Sequence, residues 1–203
     1  MPSYPPQLKR FYINEEQSLY LLSHQDAQKI KDWIRLCQDQ LSLLGFEHIE
    51  LIGKGAFGFV FGGNSQAGNA YVFKFSRLNL PQAVQDRLEE EAWMQSRIQH
   101  QHIPRVYEYR KISKQSAIVM DRAKGMDLEQ YAIRKGRLCP KELVNIAAQM
   151  AELLQALRHH QEDCTVKPLV HGDIKPSNLV YDPDSGQVQL IDWGSSVYAQ
   201  VDA

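Results

Sequence analysis

Residues 171–194 constrain the fold and the chemistry of this chain more than any other stretch. An acid and an amide, Asp173 and Asn178, stand five positions apart, and a second acid, Asp192, follows a short predicted hairpin. Carboxylate and amide oxygens are the hard ligands that Mg²⁺ takes when it also holds substrate phosphates. Any one of these residues alone would be explained as a turn former. Their joint spacing predicts a metal and phosphate site on a loop and a hairpin.

A glycine-rich segment upstream predicts a place for phosphates. Residues 53–60 follow the pattern G-x-G-x-x-G-x-V and continue as strand-like sequence up to a turn region at residues 62–64. This continuation indicates a β-hairpin, whereas a Rossmann loop would open into a helix. In a hairpin, glycines let the backbone approach phosphates and turn its amides toward their charge. The glycines in question are Gly53, Gly55 and Gly58.

The strand and the helix that follow predict an ion pair. Lys74 lies in an apolar stretch, and a lysine is rarely buried without a partner or an anion. In the predicted helix after Pro81, Glu91 shares the apolar face, while Glu89 and Glu90 fall on other faces. We therefore expect Glu91 to neutralise Lys74. The alternative is that the glutamate run belongs to an ordinary charged surface helix.

Together these residues resemble a protein kinase. The catalytic loop of that family, H-R-D-x-x-x-x-N, and its D-F-G motif have the spacing of residues 171–178 and 192–194, with Gly172 in the Arg place and Trp193 in the Phe place. The resemblance covers residues 46–194. It implies an α+β, two-lobed fold with an antiparallel small lobe that carries one main helix. The large lobe would be mostly helical and truncated, and an extra helix would precede the small lobe.

The resemblance divides the chain into three parts. Residues 1–45 form a leader and an amphipathic helix at 23–44, residues 46–121 form the small lobe, and residues 122–203 form a partial large lobe. The apolar stripe of the first helix is expected to pack on the small lobe or to serve as a partner or dimer contact. The chain ends nine residues after Gly194, without an A-P-E motif. We therefore expect a fragment of a longer protein or a minimal kinase-like fold.

The resemblance also implies a role for each candidate site residue. Asp173 would orient and deprotonate the acceptor hydroxyl, and Lys175 would stabilise the charge of the γ-phosphate. Lys74, oriented by Glu91, would hold the other phosphates. The metal ligands would be Asn178 and Asp192, and the ATP contacts would be Gly53, Gly55, Gly58, Val60, Val72, Lys74, Met120, Asp121, Ala123, Asp127 and Val180.

The implied function is ATP- and Mg²⁺-dependent phosphoryl transfer to a Ser or Thr hydroxyl, by a protein kinase or autokinase. The strings H-G-D and I-D-W-G are also similar to aminoglycoside and choline phosphotransferases, so a small-molecule kinase is the first alternative. A pseudokinase that serves as a nucleotide-binding scaffold is the second. Gly172 stands where many kinases place an arginine that receives an activation-loop phosphate, which predicts activity without that switch. Gln95, in a usually apolar place, predicts a less firmly docked helix.

Composition narrows the expected partners. The chain has 203 residues, a formal net charge of -1 and 43% hydrophobic residues. This balance gives no reason to expect nucleic acid or an anionic membrane as the main partner. No apolar run approaches the length of a membrane span, and the first ten residues lack the apolar region of a secretory signal. We therefore expect a cytoplasmic protein with no nucleic acid and no membrane among its partners, and the resemblance adds the expectation of a protein substrate.

Overall fold

The structure, a computed structural model, describes residues 27–54, 58–76, 82–112 and 115–199. Within this part the chain forms two compact units. The first unit contains the described residues up to Ala92 together with Val106–Arg122, and the second contains Trp93–Arg105 and the described residues from Ala123 onward. The leader, the predicted first turn of the N-terminal helix and Gly55 lie outside the described residues. The three domain ranges drawn from the sequence stay predictions.

The first unit is built on a five-stranded antiparallel sheet. Its strands lie in the order β1-β2-β3-β5-β4, so every neighbour except the β3–β5 pair is also a neighbour in sequence. The antiparallel sheet with its helices confirms the predicted α+β class. The elements are α1 (Ala27–Leu43), β1 (Phe46–Lys54), β2 (Gly58–Ser65), β3 (Ala70–Ser76), α2 (Gln82–Arg97, of which residues to Ala92 belong to this unit), β4 (Val106–Ile112) and β5 (Gln115–Asp121).

Helix α1 buries its apolar stripe against the sheet of the same unit. Trp33, Cys37 and Leu41 recur at four-residue steps and are buried in one core with the aromatic residues of the sheet. The ring of Trp33 lies 4.6 Å from the ring of Phe59, centroid to centroid. Burying each such large apolar side chain contributes about 1.5–3 kcal/mol. The stripe thus packs on the small lobe, and a partner contact through this helix stays a prediction.

The second unit combines two helices with short strands. Its three-stranded sheet has the order β11-β10-β6, and β12 pairs with β9 and β7 with β8. All four pairings that join these strands are antiparallel. The elements are β6 (Met126–Asp127), α3 (Leu128–Lys135), α4 (Pro140–Arg158), β7 (Gln161–Glu162), β8 (Thr165–Val166), β9 (Leu169–Val170), a 3-10 turn (Pro176–Asn178), β10 (Leu179–Asp182), β11 (Gln187–Leu190) and β12 (Val197–Tyr198).

Helix α4 supplies the largest helical part of this unit's core. It begins at Pro140, where a missing backbone N–H is tolerated, and the Glu142 carboxylate accepts the Cys139 amide at 2.7 Å. Its buried side chains, three or four residues apart, are Ile146, Met150, Leu153 and Leu157. No helix in the described ranges, α4 included, is long and apolar enough to cross a bilayer.

Candidate functional site

In the first unit, strand β3 and helix α2 form the predicted ion pair. The Lys74 Nζ donates to both carboxylate oxygens of Glu91, at 2.6 and 2.8 Å. The Glu91 side chain is 3% exposed and that of Lys74 is 21% exposed. Because a buried carboxylate without a partner is costly, the two charges depend on each other. Glu89 and Glu90 are exposed, as their positions on the helix predict.

Four predicted ATP contacts share one face of the central sheet. In the antiparallel register Val60 lies opposite Lys74, and Val72 lies opposite Met120. Directly paired residues point to the same face, and so do Val72 and Lys74, which are two positions apart in β3. The structure therefore brings Val60, Val72, Lys74 and Met120 together on the face opposite to that of Phe59.

Gly58 of the glycine-rich segment has a structural reason as well as the predicted one. Gly53 lies in β1 and Gly58 begins β2. A Cβ at Gly58 would lie 2.1 Å from the carbonyl oxygen of Phe75, so the close pairing of β2 with β3 already requires glycine there. Contacts of these glycines with phosphates stay predictions.

Two further predicted ATP contacts, Asp121 and Ala123, lie at the end of strand β5 and just beyond it. Asp121 is the last residue of β5, and its Oδ1 accepts the Tyr107 hydroxyl at 2.9 Å. Ala123 is the first residue of the second unit's C-terminal part. The ATP contacts of these two residues stay predictions.

In the second unit, the catalytic loop draws three predicted residues together. The Asp173 Oδ2 accepts Lys175 Nζ at 2.7 Å and Asn178 Nδ2 at 3.0 Å. The same Nδ2 donates to the backbone carbonyl of Asp173 at 2.9 Å. The Lys175 hydrogen bond is the main reason that the pKa of Asp173 lies below its ordinary value, because a cationic donor favours the carboxylate. Asp173 is therefore ionised at neutral pH.

The backbone brings the two predicted metal ligands to neighbouring positions. Strands β10 and β11 pair through Leu179 and Leu190, and the Ile191 N–H donates to the Asn178 carbonyl at 2.9 Å. Asn178 therefore adjoins the residue that precedes Asp192. Because the Asn178 amide nitrogen faces Asp173, its Oδ1 is the atom suited to a metal.

The donor set fits Mg²⁺ that is shared with phosphates. Mg²⁺ is usually held by one or two protein oxygens and completes its octahedron with waters and substrate phosphates. Asn178 and Asp192 supply that number of oxygen ligands. Within the described ranges, no group of three or more His, Cys, Asp or Glu side chains is arranged to hold a metal ion.

His171 organises the catalytic loop from inside. Its Nδ1 accepts the Asp173 N–H at 3.3 Å, so we infer that Nε2 carries the proton and donates to the Ile191 carbonyl at 3.2 Å. Burial lowers the pKa of His171 below its ordinary value, because the charged imidazolium is poorly solvated there. A neutral, buried ring that binds both partners therefore packs inside the loop and hydrogen-bonds it.

Trp193 occupies the Phe position of the D-F-G motif. Its side chain is fully buried, its ring lies 4.8 Å from that of His171, and its Nε1 donates to the Leu190 carbonyl at 3.3 Å. The preceding residue, Asp192, has a φ of +64°, which Asp adopts more readily than most residues. Because Trp193 is buried, the backbone directly after Asp192 has a fixed position.

The segment that follows Gly194 packs so closely on Gly172 that there is no room for a side chain at this position. Its φ is +82°, and a Cβ there would lie 2.5 Å from the Ser195 carbonyl oxygen. Any side chain in the Arg place would therefore meet the backbone of Ser195. The departure at position 172 goes together with close packing of this segment on the catalytic loop.

Asp127 and Val180 form a register pair, and Asp127 also has a local role. The two residues lie opposite each other in β6 and β10. The Asp127 Oδ1 accepts the Gln130 N–H at 2.8 Å and so caps helix α3. A ribose contact by Asp127 stays a prediction.

Gln95 differs from its sequence-based expectation. The side chain is buried, and its Nε2 donates to the Pro104 carbonyl at 2.7 Å. This hydrogen bond links the last turn of α2 to the residues that precede β4. Gln95 therefore stabilises the end of the helix, where the sequence predicted weaker docking.

Sequence reasoning missed a polar cluster around Glu162 in the insert before the catalytic loop. The insert forms a β-hairpin with a two-residue turn in which Asp163 and Cys164 have φ of +51° and +60°. Such turns are usually signalled by Asn-Gly or Asp-Gly, and Asp-Cys conceals the signal. A rare pair of positive-φ residues cannot be read from the sequence.

Comparison with known proteins assigns the chain to a family. The protein kinase domain matches residues 46–202. The chain is 29% identical over 163 residues to Aurora/IPL1-related protein kinase 2 of Caenorhabditis briggsae, a match that covers 79% of this chain and 51% of that protein. It is 30% identical over 150 residues to the serine/threonine-protein kinase dkf-2 of the same organism, covering 71% of this chain and 12% of that protein.

A bacterial relative gives the same result. The serine/threonine-protein kinase PrkC of Bacillus subtilis (strain 168) is 34% identical over 109 residues, covering 53% of this chain and 15% of that protein. The chain thus spans about half or less of the length of these curated relatives. It belongs to the protein kinase domain family.

Proposed function

We propose that this chain transfers the γ-phosphoryl group of ATP, in the presence of Mg²⁺, to a Ser or Thr hydroxyl of a protein. The observation that carries the proposal is the convergence of Lys175 and Asn178 on one oxygen of Asp173, at 2.7 and 3.0 Å. This arrangement leaves an ionised carboxylate beside a cation and a metal-ligating amide. The names of the relatives, all protein kinases, support a protein acceptor.

The two units contribute different parts of the reaction. In the first, Lys74 presents a cation that Glu91 orients, and such a cation suits the phosphates of a nucleotide. In the second, we assign the Oδ1 of Asp173 to the acceptor hydroxyl, because Oδ2 is engaged by Lys175 and Asn178. Asp173 would accept the proton as the hydroxyl oxygen bonds to phosphorus and the ADP oxygen leaves.

Charge neutralisation completes the proposed chemistry. Lys175 is half exposed, so its ammonium can turn from Asp173 toward the transferred phosphoryl group. Mg²⁺, when bound, would offset the charge of the phosphate oxygens. Asn178 and Asp192 would hold it. Phosphoryl transfer needs positioned charges more than it needs covalent chemistry. These residues supply the positioned charges.

Transfer of labelled phosphate tests the proposal. The chain is incubated with γ-labelled ATP and Mg²⁺ alone, with a generic protein substrate, and with aminoglycosides and choline. We expect label on Ser or Thr of protein, including the chain itself. Asp173→Asn should abolish most of it, whereas Asp184→Asn, which changes an acid that is 85% exposed, should not.

The alternative functions give different results in the same experiment. The H-G-D string that favours a small-molecule kinase contacts the D-W-G string, because the His171 ring packs against the Trp193 ring. Label found only on aminoglycoside or choline would assign the chain to that class. Mg²⁺-dependent ATP binding with no label on any acceptor would identify a nucleotide-binding scaffold.

A further inference from the structure

A buried carboxylate outside the catalytic loop gathers three donors. Glu162 is 8% exposed and lies in the β7–β8 hairpin. Its Oε1 accepts Arg97 Nη1, and its Oε2 accepts Lys167 Nζ at 2.8 Å and the Tyr198 hydroxyl at 3.3 Å. The Lys167 hydrogen bond is the main reason that the pKa of Glu162 lies below its ordinary value. This carboxylate is therefore charged near neutral pH and binds two cations and a hydroxyl.

Ring contacts reinforce the same cluster. The Arg97 guanidinium lies 4.2 Å from the centroid of the Trp93 ring, and the Trp93 and Tyr198 rings meet edge to face at 6.2 Å. The Lys167 Nζ lies 5.8 Å from the centroid of the Tyr198 ring. Cation–π and aromatic contacts of this kind each add modest attraction. Tyr198 is thus held both by its hydroxyl and by its ring.

The cluster fixes strand β12, which contains Tyr198. Val197 and Tyr198 pair with Val170 and Leu169 of β9, and the Ala199 N–H donates to the Pro168 carbonyl at 2.8 Å. A two-residue pairing supplies few backbone hydrogen bonds. Its position therefore depends on side-chain anchors, of which the Tyr198–Glu162 bond is one.

Strand β12 begins three residues after Gly194, and so it lies just downstream of the proposed metal ligand Asp192. The positive φ of Asp192 is a conformation that persists only where the surrounding structure determines it. Upstream, the Ile191 N–H bond to Asn178 holds the chain. Downstream, the chain is held by buried Trp193 and by β12.

We propose that Glu162 is a positioning residue for Asp192. By gathering Arg97, Lys167 and Tyr198, its carboxylate anchors β12 and thereby holds Asp192 in the conformation that binds Mg²⁺. Because the anchoring charge is the Glu162 carboxylate, the segment that contains β12 does not need a phosphorylated side chain to take its position. The inference rests on the proposed function only in that Asp192 is the metal ligand.

Mg²⁺ titration of a Glu162→Gln variant tests the proposal without any need for catalysis. The amide signals of Trp193 and Gly194 report Mg²⁺ binding in nuclear magnetic resonance spectra. We expect the Mg²⁺ dissociation constant to rise roughly tenfold, since loss of a residue that supports a ligand typically costs at least that much. Glu152→Gln, which changes a glutamate that is 57% exposed, is the matched control and should leave the constant unchanged.

Hydrogen exchange separates anchoring from general unfolding. The Ala199 amide, bonded to Pro168, should exchange faster in Glu162→Gln and in Tyr198→Phe, which keeps the ring and removes the hydroxyl. The double variant should exchange no faster than Glu162→Gln alone, because the Tyr198 hydroxyl donates to the carboxylate that Glu162→Gln already changes.

Two results would overturn the proposal. One is an unchanged Mg²⁺ dissociation constant in both Glu162→Gln and Tyr198→Phe. The other is faster Ala199 exchange without any loss of Mg²⁺ affinity. Absence of phosphate transfer by the wild-type chain would count against the proposed function alone, because neither measurement uses ATP.

Discussion

Two lysine–carboxylate pairs of nearly equal length occupy opposite environments in the two units. The Lys74–Glu91 pair measures 2.6 Å with a Glu91 side chain that is 3% exposed, and the Lys175–Asp173 pair measures 2.7 Å with an Asp173 side chain that is 35% exposed. Removing one partner of a buried pair leaves a charge without solvent, whereas water replaces a lost exposed partner. The N–O distance therefore does not show how much an ion pair contributes to stability, whereas its burial does.

Asp173→Asn should give the largest effect, and it acts on the rate. The amide cannot accept the hydroxyl proton, so the rate of phosphate transfer should fall about 10²–10⁴-fold. The urea midpoint should stay close to that of the wild type, because the pair is exposed. A rate near that of the wild type would mean that Asp173 is not the proton acceptor.

Lys74→Met should give the largest loss of stability. It removes the Lys74 ammonium from the buried Glu91 carboxylate, which should lower the free energy of unfolding by roughly 3–5 kcal/mol. Urea denaturation measures this loss. Lys175→Met, which removes the lysine of the exposed pair, is the matched control and should shift the midpoint little. Equal shifts in the two variants would break the comparison.

Gly172→Ala should be more damaging than Gly136→Ala. Both glycines have positive φ, +82° and +88°, a backbone conformation that costs a residue with a side chain about 1–3 kcal/mol. A Cβ at Gly172 also meets the Ser195 oxygen at 2.5 Å, whereas one at Gly136 has no neighbour within 4 Å. We expect a larger drop in melting temperature and a lower transfer rate for Gly172→Ala only. Matching drops would show that Ser195 can move at no cost.

The smallest expected effect is a change in the pKa of Asp173 when Lys175 is replaced. Lys175 lowers the pKa of Asp173, so the carboxylate stays ionised as the pH falls below the ordinary Asp value of about 3.9. Stabilisation from this pair is complete above that value and is lost as the pH falls through the lower pKa of the folded state. In Lys175→Met the pKa should rise toward the ordinary value. Carboxyl carbon shifts of Asp173 measure it.

Periodicity predicted individual elements, whereas the resemblance to protein kinases implied the fold and the roles of the site residues. The helical spacing placed Glu91 on a buried face, and the strand pattern around Lys74 predicted its burial, because both follow from one element's own geometry. The loop spacing also predicted the grouping of Asp173 with Asn178. These are local relations that a single sequence can express.

What the sequence did not predict depends on approaches between distant segments. The Ser195 backbone against Gly172 and the Glu162 contacts with Arg97 and Tyr198 join residues that are 23 or more positions apart. No periodicity records such contacts. Glu162 could not be singled out from the sequence, because its partners are set by tertiary packing.

Titration of ATP with and without Mg²⁺ tests the account most directly. Isothermal calorimetry compares the wild-type chain with Lys74→Ala and Asp192→Ala. We predict that Mg²⁺ strengthens ATP binding to the wild type, that Asp192→Ala loses this strengthening, and that Lys74→Ala binds ATP more weakly in both conditions. Identical ATP affinities in all three proteins, with and without Mg²⁺, would contradict the account.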